Sequence, residues 1–164
     1  METGVLKLTT EVAFEIRPAR RADVHVLLEH RLSMMAEVHP QLAHEALEEL
    51  REPNRDWLDR HFDRDFDAYI AYQGNEIAGS AAVLWFDHPP TPANGGVFEA
   101  YILNVYTEPT WRRHGIARAM MERIIAEARS RGVKRIWLRT SDEGRPLYMS
   151  LGFGDSNYLQ LRNE

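Results

Sequence analysis

Cysteine is absent from the 164 residues, which excludes disulfides, thiolate metal sites and a catalytic thiol. No apolar run approaches the ~18 residues of a membrane-spanning helix. A basic surplus is missing too. Twenty Lys and Arg stand against twenty-five Asp and Glu, a net charge of −5, so neither nucleic acid nor an anionic membrane is an expected partner. The first twelve residues lack an apolar signal core, and the expected location is the cytoplasm. Neither Gly-x-x-x-x-Gly-Lys-[Ser/Thr] nor a multi-glycine dinucleotide fingerprint occurs, which removes two nucleotide-binding loops. The seven histidines show no metalloprotease-like spacing, and no metal site is expected. Ser141 beside Asp142 has no Gly-x-Ser-x-Gly elbow around it, so a serine hydrolase has no local support.

What remains is 44% apolar and 27% charged, the profile of a globular chain long enough to bury roughly 70% of its unfolded surface. No repeat or linker divides it, so residues 1–12 are expected as an N-terminal extension and 13–164 as one domain. Residues 13–17 alternate like a strand and stop at Pro18. Asp23 is placed to cap a helix with apolar positions Val24, Leu27, Leu28, Leu32, Met35 and Val38, closed by Pro40. Two shorter helices are expected over 44–51 and 55–65, divided by Pro53. Strands over 68–73 and 77–86 join across Gly74-Asn75, a hairpin signal. Residues 87–96, with three prolines and two glycines, read as a loop. A third long strand is expected over 97–107, the strongest helix over 112–131 with Gly132 ending it, a strand over 133–140, a short helix over 145–151, and a final strand within 153–161. That mixture indicates an α/β or α+β sheet protein.

The chemistry concentrates between the third long strand and the strong helix, Val105-Tyr106-Thr107-Glu108-Pro109-Thr110-Trp111-Arg112-Arg113-His114-Gly115-Ile116-Ala117. The leading amides of a helix have no intrahelical acceptor, and the macrodipole adds positive potential there. Such an end accepts phosphate, and Gly115 removes the side chain that would block close approach. From Pro109 to Met121 the chain carries Arg112, Arg113, His114 and Arg118 but no acid. A basic focus in an acidic chain fits a phosphate-bearing ligand.

Arg112-Arg113-His114-Gly115-Ile116-Ala117 resembles [Gln/Arg]-x-x-Gly-x-[Gly/Ala], the acyl-CoA pyrophosphate motif of the GNAT superfamily of N-acetyltransferases. Residues 144–153, with Leu147-Tyr148-Met149-Ser150-Leu151-Gly152-Phe153, resemble its second landmark, Leu-Tyr-x-x-x-Gly-Phe. The resemblance covers about 97–153. It implies a mixed, mostly antiparallel sheet flanked by helices, in which two neighbouring strands splay apart and leave backbone groups to pair with the pantetheine arm. Val105 and Thr107 would supply those groups. The pyrophosphate would rest on the amides of Arg113, His114, Gly115, Ile116 and Ala117, with charge from Arg112, Arg113 and Arg118.

The implied reaction is direct transfer of the acetyl group of acetyl-CoA to a primary amine in a ternary complex, since no cysteine can carry it. Tyr148 matches the tyrosine that protonates the departing thiolate, a task its reference pKa of roughly 10 suits. Many relatives hold a carboxylate in the middle of the third long strand, where this chain has Leu103-Asn104. Glu99, in phase with Tyr101, Leu103 and Val105 because strand side chains alternate, is the candidate base, and Asn104 a candidate for orienting water. Asp56, Asp59, Asp63, Asp65 and Asp67 near Trp57, Phe62 and Phe66 are either an amine-attracting face or a wet helix face. A non-catalytic acyl-CoA-binding or regulatory module is the alternative function. The acceptor's identity and a homodimeric assembly are left open.

Overall fold

A computed structural model describes residues 13–92 and 95–161 of the protein. The extension expected over residues 1–12, and Ala93 and Asn94 of the proline-rich loop, lie outside the described residues. The chain runs β1 (Glu15–Pro18), a 3-10 turn (Arg21–Asp23), α1 (Val24–Val38), α2 (His44–Glu49), α3 (Arg51–His61), β2 (Phe66–Gln73), β3 (Glu76–Asp87) and β4 (Phe98–Thr107). A second 3-10 turn (Pro109–Trp111), α4 (Ile116–Ser130), β5 (Arg135–Leu138) and α5 (Arg145–Ser150) complete it. The five strands lie in sequence order, β1-β2-β3-β4-β5. The first four pair antiparallel and β4 pairs parallel with β5, a connection that needs a crossover, here α4. None of the described helices is long and apolar enough to cross a membrane.

Both sheet faces are covered, so β2 is apolar on both sides. Tyr69 and Ala71 pack with Val83, Ala100, Ile102 and the α4 stripe Ile116, Met120, Met121 and Ile124. Ala68 and Ile70 face the other way, toward Leu27, Leu28 and Leu32 of α1 and Leu58 of α3. The expected hairpin closes with Gln73 opposite Glu76.

Several expectations change in the structure. Pro53 does not divide the two short helices; it sits in the first turn of α3, where its missing N–H would have had no partner anyway. Asp23 precedes α1 without capping it. Its carboxylate instead accepts from the Arg20 amide at 2.7 Å and from Arg17 at 2.8 and 3.0 Å. Val38 is half exposed rather than core. The strong helix begins at Ile116, four residues later than expected, because Arg113 and Gly115 have φ of 67° and 80° and cannot continue a right-handed helix. The strand expected within 153–161 does not form. Gly154 to Asn157 are turn-formers, and the tail is held by side chains, Tyr158 stacking on Trp137 at 5.7 Å and Asp155 accepting from Arg145 at 2.7 Å.

One irregularity positions the site. Ser80 opposes Tyr106 and Ala82 opposes Leu103, so three steps on β4 match two on β3. The extra residue is a bulge at Asn104, whose φ is 55°. Leu103 packs on the α1–α3 side, Asn104 also bonds to α1, and Val105 turns to the α4 side. The expected phase of Glu99, Tyr101, Leu103 and Val105 therefore breaks after Leu103.

Candidate functional site

β5 is four residues long and accompanies β4 only from Glu99 to Ile102. From Leu103 to Thr107 the outer edge of β4 has no neighbouring strand among the described residues, and a groove of about 1100 Å³ opens along it. Val105, Tyr106 and Thr107 line its β4 side, Met34, Glu37 and Val38 of α1 one wall, and residues 141–144 with Tyr148 the other. Trp111 to Arg113 and Gly115 to Arg118 close one end. The hydroxyl oxygen of Thr107 is shut from solvent and has no hydrogen-bond partner among the described residues.

At that closed end the backbone amides of Arg113, His114, Gly115, Ile116 and Ala117 make no backbone hydrogen bond to the described residues. The left-handed Arg113 and Gly115 produce this by turning the chain just before α4 starts. Unpaired amides at a helix start form a cradle for an anion. Arg112 serves the turn differently from the expectation. Its Nε donates to the Thr107 carbonyl at 3.0 Å and its Nη2 to Glu37 at 2.6 Å, with the guanidinium 5.7 Å over the Tyr106 ring. It ties β4, α1 and the turn together instead of standing free for phosphate, and it occupies one lone pair of the Thr107 carbonyl expected to face the ligand. Arg113 is exposed and without an ion-pair partner among the described residues, while Arg118 donates to Ser150 and lies 3.6 Å from Glu122. The His114 ring rests against Trp111, centroids 6.1 Å apart, which leaves its amide as its contribution to the cradle. Ile116 points its side chain into the core.

Tyr148 stands in the groove wall, its ring edge-on to Phe153 at 6.1 Å, and burial pushes its phenol above the ordinary value. The phenol therefore stays protonated at neutral pH. Asn104 sits at the bulge next to Val105, buried, its amide oxygen accepting from Arg31. Glu99 is not brought to the groove. It lies at the start of β4, roughly 20 Å from Val105 at strand spacing, buried and held by Arg135 at 3.3 Å and His88 at 3.8 Å. Four of the five aspartates near Trp57 are likewise committed elsewhere, and Asp56 is exposed. Asp59 and Asp63 pair with Arg21, Asp65 with His61, and Asp67 with Arg131 and the Trp85 indole. No group of three or more potential metal-binding side chains occurs among the described residues.

Residues absent from the sequence-based reading also meet here. Glu37 braces Arg112. His30, buried in α1, joins Ser80 at 2.8 Å and Glu108 at 3.1 Å, and burial lowers its pKa against the opposing pull of Glu108. Arg31 reaches Asn54 and Asn104. The available signal was helical phase, because Arg31 falls one turn from Leu27, Leu28 and Met35 on the apolar stripe of α1.

A mixed sheet with a splayed parallel pair and an amide-lined turn at the head of the crossover helix is the architecture of an acyltransferase. The family model described as the acetyltransferase (GNAT) family matches residues 31–153, and the chain belongs to that family. It is similar to the [ribosomal protein bS18]-alanine N-acetyltransferase of Escherichia coli K12, 39% identical over 61 residues. That match covers 35% of this chain and 41% of the relative, so it spans less than half of that protein's length. Over nearly the whole chain it resembles the GCN5-related N-acetyltransferase from Ralstonia eutropha JMP134, with 27% identity, a TM-score of 0.84, and 92% and 99% of the two chains covered. It also resembles a predicted acetyltransferase from Clostridium acetobutylicum solved with acetyl-CoA, with 30% identity, a TM-score of 0.82, and 92% and 96% covered.

Proposed function

We propose that the protein is an acetyl-CoA-dependent N-acetyltransferase acting directly on a primary amine. The observation that carries this reading is the groove along the unaccompanied edge of β4, ending on five unpaired amides and walled by Tyr148. The residues present fit the coenzyme. The free edge of β4 offers polar backbone partners to an amide-bearing arm, and the cradle offers N–H groups to a diphosphate. Acetyl-CoA would supply the activated acetyl group and a thiolate leaving group. The similar structure from Clostridium acetobutylicum, which holds acetyl-CoA, supports the same choice.

Among this chain's residues, the cradle orients and anchors, and Tyr148 gives a proton to the thiolate. Burial raises its pKa, so the phenol carries its proton at neutral pH. Glu99 is sequestered, and an asparagine amide such as that of Asn104 is no base. With neither of these two acting, bulk water is the proposed acceptor of the incoming amine's proton.

Free-thiol release from acetyl-CoA, followed across a panel of alkylamines, amino acids and peptides, tests the reading. Turnover is expected with at least one acceptor class. Tyr148→Phe should lower kcat by ~10²–10⁴-fold while the affinity for acetyl-CoA stays nearly unchanged. A full-rate variant removes Tyr148 from the chemistry. Tight binding of acetyl-CoA with no thiol release for any amine would favour the non-catalytic acyl-CoA-binding module instead.

A further inference from the structure

Arg31 is the one arginine among the described residues that is partly buried and has no carboxylate within ion-pair distance. The other partly buried arginines, Arg17, Arg51, Arg55 and Arg135, each hold an acid, Asp23, Glu29, Glu52 and Glu99 respectively. What Arg31 has instead is a neutral clamp. Its Nε donates to the side-chain oxygen of Asn54 on α3, and its Nη1 to that of Asn104 at the β4 bulge. Both amides are themselves fixed. Asn54 donates to the Leu50 carbonyl at 2.7 Å, and Asn104 is locked by its left-handed backbone. Two neutral acceptors settle where the guanidinium points but leave its charge unanswered. Burial accordingly pulls its pKa below the ordinary value with only the Tyr101 phenol opposing.

A guanidinium has five N–H donors in a planar fork. Two are used here, and the remaining three, on Nη1 and Nη2, have no partner among the described residues. Holding a partly desolvated cation without a counter-ion is costly. In a chain with a surplus of acids, leaving this one unpaired reserves it for an anion that arrives from outside. The position says which anion. Arg31 lies one turn before Met34, which lines the groove, and bonds the residue next to Val105, which also lines it. That is the bulge end, opposite the amide cradle at Arg113 to Ala117, so the coenzyme's diphosphate is provided for elsewhere. The bulge end is where an acceptor amine would meet the acyl group.

We propose that Arg31 binds a carboxylate on the acceptor, and that the acceptor is a small primary amine that also carries a carboxylate, of the amino-acid type. The proposal rests on the N-acetyltransferase reading and narrows it. A lone fork held edge-on by two amides matches one planar carboxylate.

The test compares each free L-amino acid with its own primary carboxamide, at equal concentrations of unprotonated amine. In thiol release, the best amino acid should exceed its carboxamide by roughly 10–100-fold in kcat/KM, mostly through KM, as expected for a charge-assisted hydrogen-bonded pair. Calorimetric titration of the same pair into the protein without acetyl-CoA should show the same preference. Arg31→Gln, which keeps a donor for Asn104, should erase the preference by weakening the amino acid alone, with kcat and the affinity for acetyl-CoA little changed. Equal binding and turnover of amino acid and carboxamide by the native protein overturns the proposal, as does an Arg31→Gln variant that still discriminates. Should that variant fold poorly, the native comparison alone decides. Thiol release with simple alkylamines and no preference for the carboxylate overturns this inference and leaves the acetyltransferase reading standing. No release with any amine overturns that reading, and the calorimetric pair still rules on Arg31 separately.

Discussion

Substituting Gly115 separates the fold from the anion cradle, because the two costs differ in origin. Gly115 has φ of 80°, and a Cβ built there meets no heavy atom within 4 Å. Gly115→Ala therefore suffers only the left-handed backbone, about 1–2 kcal/mol, equivalent to a Tm lower by ~2–8 °C for a chain of this size. Gly115→Glu carries the same backbone cost and adds a carboxylate among amides that are otherwise open to an anion. At ~4 Å, a negative charge beside a phosphate is unfavourable by ~1 kcal/mol in water and ~4 kcal/mol at the effective dielectric near a protein surface. Relative to the alanine variant, affinity for acetyl-CoA should then fall by roughly 5-fold to 1000-fold. The two variants should melt at similar temperatures when no ligand is present. Calorimetric titration of all three proteins with acetyl-CoA at low and moderate salt provides the measurement, and the gap between the variants should narrow as salt rises. If Gly115→Glu and Gly115→Ala bind the thioester equally well, the turn does not hold the diphosphate, and the assignment of the groove fails with it.

Two other outcomes follow from the packing around that groove. A Cβ on Gly79 would sit 2.5 Å from the Tyr106 carbonyl oxygen and 3.2 Å from the Thr107 Cα, both backbone atoms that cannot swing aside. Gly79→Ala should cost about 1–3 kcal/mol and weaken acetyl-CoA binding by displacing the Tyr106–Thr107 edge, whereas Gly95→Ala, with open space at its Cβ, should change stability by less than ~0.5 kcal/mol. Equal melting temperatures for the two variants would contradict the close approach of β3 to β4. His30 takes a proton less readily folded than unfolded, because burial outweighs Glu108. Its contribution is therefore complete above about pH 6.5 and is lost as pH falls below that value. Melting curves from pH 8 to 5 should fall more steeply for the native protein than for His30→Gln, and parallel slopes would show that His30 charges freely.

The amino-acid order alone determined the alternation of strands and helices, the Gly74-Asn75 hairpin, the apolar stripe of α4 and the location of the basic turn. Each of these depends on neighbours within a few residues, through backbone preference and side-chain periodicity. Tyr148 and the segment from Arg112 to Ala117 were legible for the same reason, as short contiguous motifs. The roles within that segment were not. Whether Arg112 faces a phosphate or Glu37 depends on where α1 lies, 75 residues away in sequence.

Glu99 shows the limit most plainly. Strand phase placed it on a line with Val105, but one additional residue at Asn104 reverses the phase, and Arg135 and His88 lie against the carboxylate far from the groove. A bulge leaves little mark on composition, because its cause is the mismatch between two paired strands. Likewise, nothing near Pro53 announced that it would begin a helix, and nothing in 153–161 announced that β5 would gain no strand there. Arg31 is the strongest case. Its neighbours in sequence mark it as a polar interruption of α1, and only the meeting of α1, α3 and the β4 bulge shows a cation fixed by two asparagines with no acid beside it among the described residues. Local propensity is written residue by residue, whereas pairing register and charge compensation are properties of distant segments brought together, so only the folded chain could decide them.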